Sequence, residues 1–295
     1  MRLLHLGWQQ SAAICALLTV TALALTPFPR LRPARSFARE FAVVLALFFG
    51  LWQFVGRHVR SHVAGAMGRA RDIQDLQAWL HLPDERIMQL HILGHPWLVQ
   101  VINAYYASAH LTGMSLFLIW VWWRHRDSFA LVRNTVAGST LLYLAVQSVP
   151  VAPPRLLPGA GFVDTALEYG QSVYGEYTTG VAAQLTAMPS VHVGWSFLIA
   201  WYVTRLARGP GQAIGILHFV LTVLVVVLTA NHWWMDGIAA VVIALVVLTG
   251  LGEVPSPLRR YLPARPRRRR MVLVEATQVP ALTHSLRPGR HGPGP

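Results

Sequence analysis

The sequence is poor in charged residues, lacks lysine altogether and has a single cysteine. Only 13% of its 295 residues are charged, whereas 54% are hydrophobic. A soluble domain of average make-up carries about 25% charged residues, so this balance excludes that class and indicates a membrane protein with several spans. Because Cys15 has no second cysteine to pair with, a disulfide within the chain is also excluded.

Every one of the 25 basic residues is an arginine, and the formal net charge is +13. The excess lies between apolar stretches and in a segment rich in Pro, Arg and Gly over residues 253–295. Arginine in such places interacts with anionic lipid headgroups and orients membrane helices, so we expect no nucleic-acid partner. Residues 253–295 are predicted to form a disordered basic cytoplasmic tail, which either binds anionic lipids or only sets the topology.

Seven apolar stretches are each close to the ~20 residues that a membrane-spanning helix needs. They predict an all-α fold, a polytopic membrane helix bundle, with residues 1–56 as N-terminal transmembrane helices. The Arg-rich segment directly after the first stretch favours an uncleaved helix there over a secretory signal peptide. Residues 57–96 have helical apolar spacing at 71–80 and are predicted to be an interfacial amphipathic segment. The seven stretches are 10–27, 38–56, 97–123, 130–149, 188–207, 212–230 and 233–251.

The arginines also orient the bundle, since cytoplasmic loops of membrane proteins are enriched in them. They cluster after the first, third, fifth and seventh stretches, which one consistent threading places on the inside. The loop over residues 150–187 and the turn over 229–236 then lie outside. We therefore expect a multi-pass protein of the cell membrane whose active site is on the non-cytoplasmic face.

A Pro-Ser-x-His segment marks the outer start of the fifth stretch. Proline suits the first position of a helix, so this helix is predicted to begin at Pro189, with Ser190 and His192 in its first turn. The first backbone N–H groups of a helix lack partners within it, and the helix dipole is positive there. This end is therefore a predicted phosphate site, with Ser190 as a binding residue and His192 as a titratable group beside it.

A second motif, His-x-x-x-Asp, stands at the outer start of the last stretch. Residues four apart share one face of a helix, so the carboxylate of Asp236 can hold one imidazole nitrogen of His232 and leave the other as a nucleophile. His192 is then the acid that protonates the leaving oxygen and the base toward the acceptor. Arg155, in the preceding outer loop, offers a guanidinium for the phosphate oxygens.

Other interpretations of these residues stay open. Two histidines and an aspartate are also zinc-type ligands, but the phosphate donors around them favour a site without a metal or cofactor. A non-catalytic scaffold or transporter is a further class, although a transporter has polar residues at several mid-membrane positions, whereas here they gather at one edge. His110, inside the third stretch, is either a histidine bonded to a neighbouring helix or a substrate contact.

The two motifs resemble those of the type 2 phosphatidic acid phosphatase (PAP2) superfamily. The closest resemblance is to its inositolphosphotransferase branch, the family of fungal inositol phosphorylceramide synthase. It covers about residues 95–250 and implies a six-helix core, here with an additional N-terminal helix, so that residues 97–252 are the catalytic membrane core. It also implies a metal-independent enzyme with a phosphohistidine at the histidine of the third motif. The residues that match the second and third motifs are Pro189, Ser190, His192, His232 and Asp236.

The sequence departs from the superfamily pattern at the phosphate-binding cations. Ser148 stands where the first motif opens with Lys, and Leu156 replaces the Pro that follows Arg155. Val225 and Val226 replace a Ser-Arg pair. The loss of two cations favours a phosphotransferase that acts on a membrane lipid, with a lipid or alcohol as acceptor. The alternative is a lipid phosphate or prenyl diphosphate phosphatase, in which water is the acceptor.

Overall fold

The computed structural model describes residues 8–42, 64–171 and 184–253. These ranges are mainly helical and contain no β-strand, which confirms the predicted all-α membrane bundle. The helices of the described chain are α1 (Trp8–Ala24), α2 (residues 32–42), α3 (Ala66–Trp79), α4 (Glu85–Leu93), α5 (Pro96–Arg124), α6 (Arg126–Gln147), α7 (Thr165–Glu168), α8 (Val191–Leu206), α9 (Pro210–Leu228) and α10 (Trp234–Leu251).

The long helices lie on the predicted apolar stretches, and α2 lies at the start of the second, whose remainder is outside the described residues. Within the described ranges, α6, α9 and α10 are long and apolar enough to cross a membrane. α5 has 29 residues, but its Asn, Gln, Tyr and His residues lower its hydropathy, and α8 has only 16 residues. The count of seven crossings stays a prediction, as does the tail over 253–295, which lies almost wholly outside the described ranges.

Helix α8 is the central element of the bundle, because it packs against α5, α6, α9 and α10. Its close approach to α6 depends on Gly194, where a Cβ atom would overlap the ring and hydroxyl of Tyr143. Tyr143 is fully buried and donates its hydroxyl to the backbone carbonyl of Ala240 on α10 at 3.0 Å. The absence of a side chain at Gly194 therefore lets α6, α8 and α10 pack closely at the start of α8.

Helices α3 and α4 hold the start of α10. The Oε1 atom of Gln77 accepts from the backbone N–H of Met235 at 2.9 Å, and Oε1 of Glu85 accepts from that of Trp234 at 3.2 Å. Gln77 also donates to Glu85 at 2.7 Å, and both side chains are buried. These bonds satisfy N–H groups that have no partner inside α10. The described part of the predicted interfacial segment thus supports the core, and its position at a membrane surface stays a prediction.

One end of the bundle gathers the end of α6, the start of α8, the end of α9 and the start of α10. Two connecting segments meet there through a short backbone pairing. The N–H of Val151 donates to the carbonyl of Leu185 at 2.8 Å, and the N–H of Ala187 donates to the carbonyl of Val151 at 3.2 Å. This pairing fixes the segment after α6 against the one before α8.

Candidate active site

The first turn of α8 begins at Val191, two residues later than the predicted start at Pro189. The cause is Ser190, which acts as the N-cap: its Oγ accepts from the N–H of Val193 at 3.3 Å. The backbone N–H of Ser190 donates to the carbonyl of Asp236 at 3.0 Å, and Ser190 is fully buried. Ser190 thus caps the helix, and its predicted contact with phosphate stays a prediction. The N–H groups of Val191 and His192, which lack partners within the helix, are also placed for an anion.

The turn between α9 and α10 positions the second histidine. Ala230 adopts a left-handed conformation with φ of 53°, and its N–H donates to the carbonyl of Val227 at 2.8 Å. The N–H groups of Asn231 and His232 both donate to the carbonyl of Val226, at 3.1 and 3.2 Å. This bonding closes the end of α9 and places His232 two residues before the first residue of α10.

The imidazole of His232 has two oxygen neighbours at one nitrogen. Nδ1 lies 2.8 Å from the backbone carbonyl oxygen of Ala187 and 3.3 Å from Oδ2 of Asp236. A carbonyl oxygen can only accept, so Nδ1 carries the hydrogen and Nε2 keeps its lone pair. Asp236 is fully buried, and the same Oδ2 also accepts from the N–H of Trp233 at 2.9 Å. The contact with Asp236 was predicted, whereas that with Ala187 was not, since a backbone carbonyl leaves no mark in the sequence.

His192 and His232 face one another, with ring centroids 5.6 Å apart. Tyr106 of α5 stacks on His192 at 4.4 Å with an angle of 17° between the rings. His110, one turn further along α5, lies 4.0 Å from His192. Sequence reasoning missed Tyr106, because a tyrosine in an apolar helix has no distinguishing pattern.

Arg155 lies at the same end, beside the turn that carries His232. Its Nε donates to Asn231 at 2.9 Å, its Nη2 to Gln184 at 2.9 Å and its Nη1 to Asp164 at 2.5 Å. The guanidinium side chain is only 4% exposed. The structure therefore links Arg155 to the residue before His232, through partners that sequence reasoning did not identify.

These residues enclose a cavity of about 50 Å³. Among its described lining residues, Arg155 is the one with a permanent charge, and Gln147, Gln184 and Asn231 contribute neutral amides. Ser148 does not line the cavity and donates its hydroxyl to the carbonyl of Ala145. The full lining is Tyr106, Gln147, Pro153, Arg155, Gln184, Thr186, Ala187, Val191, His192, Asn231 and His232.

The same residues would have to supply the ligands of the zinc-type alternative. Within the described ranges, no group of three or more His, Cys, Asp or Glu side chains has an arrangement that could hold a metal ion. The aspartate is occupied instead by the imidazole of His232 and the N–H of Trp233. The geometry gives this alternative no support, and metal independence of the reaction stays a prediction.

Comparison with known proteins adds one match. The model of a family described as the PAP2 superfamily matches residues 71–250. The match includes all of the residues proposed for the site, and it begins within α3, well before the resemblance at about residue 95. No curated protein and no solved structure matches the chain.

Proposed function

Because the chain belongs to the PAP2 superfamily, we propose that it is a membrane lipid phosphotransferase of the inositolphosphotransferase type, acting through a phosphohistidine at His232. Membership in the superfamily indicates phosphatase or phosphotransferase activity on a lipid. The observation that carries the finer proposal is the pairing of His192 and His232, whose ring centroids are 5.6 Å apart. Nδ1 of His232 is held by the carbonyl of Ala187. Such a pair can serve as nucleophile and acid–base in one cavity.

In the first step, Nε2 of His232 attacks the phosphorus of the donor lipid. The bond between phosphorus and the oxygen of the lipid alcohol breaks, and His192 gives its proton to that oxygen. Hydrogen bonds from Arg155 and from the first N–H groups of α8 stabilise the charge that builds up on the phosphoryl oxygens. Asp236, at 3.3 Å from Nδ1, stabilises the positive charge that forms on His232.

In the second step, the acceptor alcohol loses its proton to His192 and its oxygen attacks the phosphohistidine. The bond between phosphorus and Nε2 breaks, so His232 returns to its starting form and His192 is protonated again. The cycle moves one phospho-alcohol group between two lipids with no net loss of protons. It needs no metal ion and no cofactor.

The charge of the cavity favours a phosphodiester donor over a phosphomonoester. A phosphodiester carries one negative charge, whereas a monoester carries nearly two at neutral pH. Arg155 alone provides a permanent charge among the described lining residues, and Asp164 offsets part of it. Buried Val226 stands where the superfamily pattern has a second cation.

An apolar cavity of about 270 Å³ between α9 and α10 supports a lipid as the substrate. Val193 and Trp233, the residues that directly follow the two histidines, line it. The polar cavity is far below the ~300–1,000 Å³ of sites that enclose whole small-molecule ligands, so it suits a headgroup phosphate only. The hydrocarbon chains of a bound lipid would lie in the apolar cavity or in the bilayer.

The small size of the polar cavity favours a second candidate, a lipid phosphate or prenyl diphosphate phosphatase. A cavity of about 50 Å³ leaves space for water beside the phosphate more easily than for an alcohol. In that reaction, water replaces the alcohol in the second step, and the same residues have the same roles.

The test uses the full-length protein in detergent with EDTA. The protein is offered phosphatidylinositol, phosphatidic acid, a prenyl diphosphate and a long-chain alcohol acceptor, and the products are identified by mass spectrometry. A new phospho-alcohol lipid without free phosphate, absent in His232→Ala, supports the transferase. Free phosphate that depends on His232 supports the phosphatase. Activity that returns only when a divalent metal is added contradicts both.

The control for this test is His91→Ala. His91 lies on the exposed side of α4, and among the described residues its side chain bonds to the carbonyl of Ile87 alone. It removes a histidine without touching the cavity, so we expect full activity. Equal losses in the two variants would mean that His232 has no special role.

The proposed location of the site, on the non-cytoplasmic face of the cell membrane, has a separate test. Cys15 is replaced by Ser, and single cysteines are introduced as Glu168→Cys and Arg208→Cys, both at exposed positions. A membrane-impermeant maleimide added to intact cells is expected to label the first variant and not the second. The reverse pattern would place the site in the cytoplasm.

A further inference from the structure

His110 of α5 packs directly against His192, although no step described above uses it. The ring centroids of the two histidines are 4.0 Å apart, closer than those of His192 and His232. Tyr106 lies four residues before His110, on the same face of α5, and stacks on the same imidazole at 4.4 Å. One face of α5 therefore supplies two rings that contact His192.

The two catalytic histidines differ in how their nitrogens are held. His232 has the carbonyl of Ala187 and the carboxylate of Asp236 at Nδ1. No such carboxylate contacts His192 among the described residues, and its Nε2 is buried without a hydrogen-bond partner there. Nδ1 of His110 is also buried without one. Buried unpaired polar atoms are uncommon, so these two nitrogens on adjacent rings call for an explanation.

We propose that His110 is a positioning residue for His192 in the proposed reaction, the counterpart of Asp236 for His232. Resting on the proposed function, this inference has His110 hold the His192 ring by direct contact, as the 4.0 Å between their centroids shows. When the pair carries a proton, the two rings turn so that one nitrogen of each faces the other, and they share an N–H···N hydrogen bond. His192 still gives the proton to the leaving oxygen and takes one from the acceptor. His110 neither loses nor gains a proton over the cycle.

The test depends on how much the leaving group needs an acid. A lipid alcohol must be protonated as it leaves, whereas nitrophenolate leaves without a proton. Full-length wild type and His110→Phe are compared with a lipid phosphodiester and with a nitrophenyl phosphodiester, in detergent. For the nitrophenyl ester, the burst of nitrophenolate reports the first step alone.

We expect His110→Phe to lower kcat for the lipid about 10²-fold, within the range of general acid–base contributions, with little change in KM. The nitrophenolate burst is expected to slow less than about threefold, because this step does not need the acid. His110→Gln, which can still donate and accept a hydrogen bond, is expected to recover part of the lost kcat. It also serves as a second variant if Phe disturbs folding.

The matched control is His218→Phe. His218 of α9 also has a buried Nε2 without a partner among the described residues, but its Nδ1 bonds to the hydroxyl of Tyr105 at 2.8 Å, away from the cavity. We expect this variant to affect the two donors equally or not at all.

Two results would overturn the inference while leaving the proposed function intact. One is an equal loss with both donors in His110→Phe, which would mean a structural role, and the other is unchanged lipid turnover. A wild type that gives no product dependent on His232 would overturn the proposed function and this inference together. The comparison of wild type with His232→Ala therefore separates the two failures.

Discussion

Nδ1 of His232 lies closer to the backbone carbonyl oxygen of Ala187, at 2.8 Å, than to the carboxylate of Asp236, at 3.3 Å. A backbone carbonyl has no proton to give, so it holds the Nδ1–H tautomer whatever the state of the carboxylate. The segment before α8 therefore shares with α10 the task of orienting the proposed nucleophile. Asp236 contributes a negative charge beside His232, and the carbonyl of Ala187 fixes the tautomer and the orientation of its imidazole.

This division predicts a moderate effect for Asp236→Asn. Asn keeps an oxygen that can accept from the N–H of Trp233, and Ala187 still holds the tautomer of His232, so only the negative charge is lost. We expect kcat to fall about 10- to 100-fold, well short of the loss in His232→Ala. Turnover of the lipid donor measures both variants. A loss as complete as in His232→Ala would mean that the carboxylate, rather than the carbonyl, fixes the ring.

Gly194→Ala is predicted to displace His192 by forcing α8 away from its neighbour α6. The added methyl group would overlap buried Tyr143, and α8 can yield only by moving away from α6, which displaces His192. Overpacking of this kind lowers the free energy of unfolding by about 1–3 kcal/mol. Thermal unfolding in detergent and lipid turnover measure the two effects.

Gly250→Ala is the matched control for that substitution. Gly250 lies near the end of α10, and an added Cβ would meet no atom within 4 Å. Ala is the better helix former by about 1 kcal/mol, so the melting temperature should stay level or rise slightly. A similar fall in both variants would point to a general intolerance of alanine rather than to the contact with Tyr143.

The buried carboxyl of Glu85 gives a prediction on pH. Burial raises the pKa of Glu85 above its ordinary value, against the smaller opposing effect of the hydrogen bonds it accepts. The folded protein thus holds this proton more tightly than the unfolded chain does. The contribution of Glu85 to the free energy of unfolding is therefore fully present below the ordinary glutamate pKa and is lost as the pH rises through the raised pKa.

Glu85→Gln removes this dependence and keeps an oxygen for Gln77 and Trp234. The melting temperature of the variant, relative to wild type, is therefore expected to rise with pH across that window and then level off. Unfolding scans in detergent from acid to neutral pH measure it, with Glu168→Gln, an exposed residue, as the control. If the melting temperatures of wild type and Glu85→Gln changed in parallel with pH, the raised pKa of Glu85 would be contradicted.

The helices could be predicted from the sequence because apolar length is a local property. The stretch at 97–123 became α5 (Pro96–Arg124), and that at 212–230 became α9 (Pro210–Leu228). The start of α8 was placed too early, because the capping bond of Ser190 outweighs the preference of Pro189 for a first helical position. The first residue of α8 was thus decided between two neighbouring residues, the capping Ser190 and the proline before it.

The contacts of the candidate site could be predicted only in part. The contact between His232 and Asp236 could be predicted from their spacing, since they lie four apart in the sequence. Tyr106 and His110 reach His192 only because α5 packs against α8, and no pattern in α5 reveals that partner. The support of α10 by α3 and α4 was missed for the same reason: the amphipathic pattern indicated a surface helix, yet Gln77 and Glu85 are buried as partners for N–H groups.

The apolar cavity between α9 and α10 leads to a prediction about chain length. Ile238 lines this cavity and is 45% exposed, so Ile238→Trp can fill it without entering the core. Val246 lies two turns further along α10, is 61% exposed and does not line the cavity, which makes Val246→Trp the control. Displacing two methylene groups of a bound hydrocarbon chain costs about 1.6 kcal/mol.

We therefore expect Ile238→Trp to raise KM about 10-fold for a long-chain phosphodiester donor, since 1.4 kcal/mol is about a factor of ten in affinity. A short-chain version of the same donor does not reach the cavity, so its KM should be unchanged. Steady-state kinetics of both donors with the three proteins measure this. An equal rise for the two chain lengths, or a rise in Val246→Trp as well, would show that the cavity does not hold the lipid chain. The hydrocarbon would then lie in the bilayer, and the lipid would be recognised through its headgroup alone.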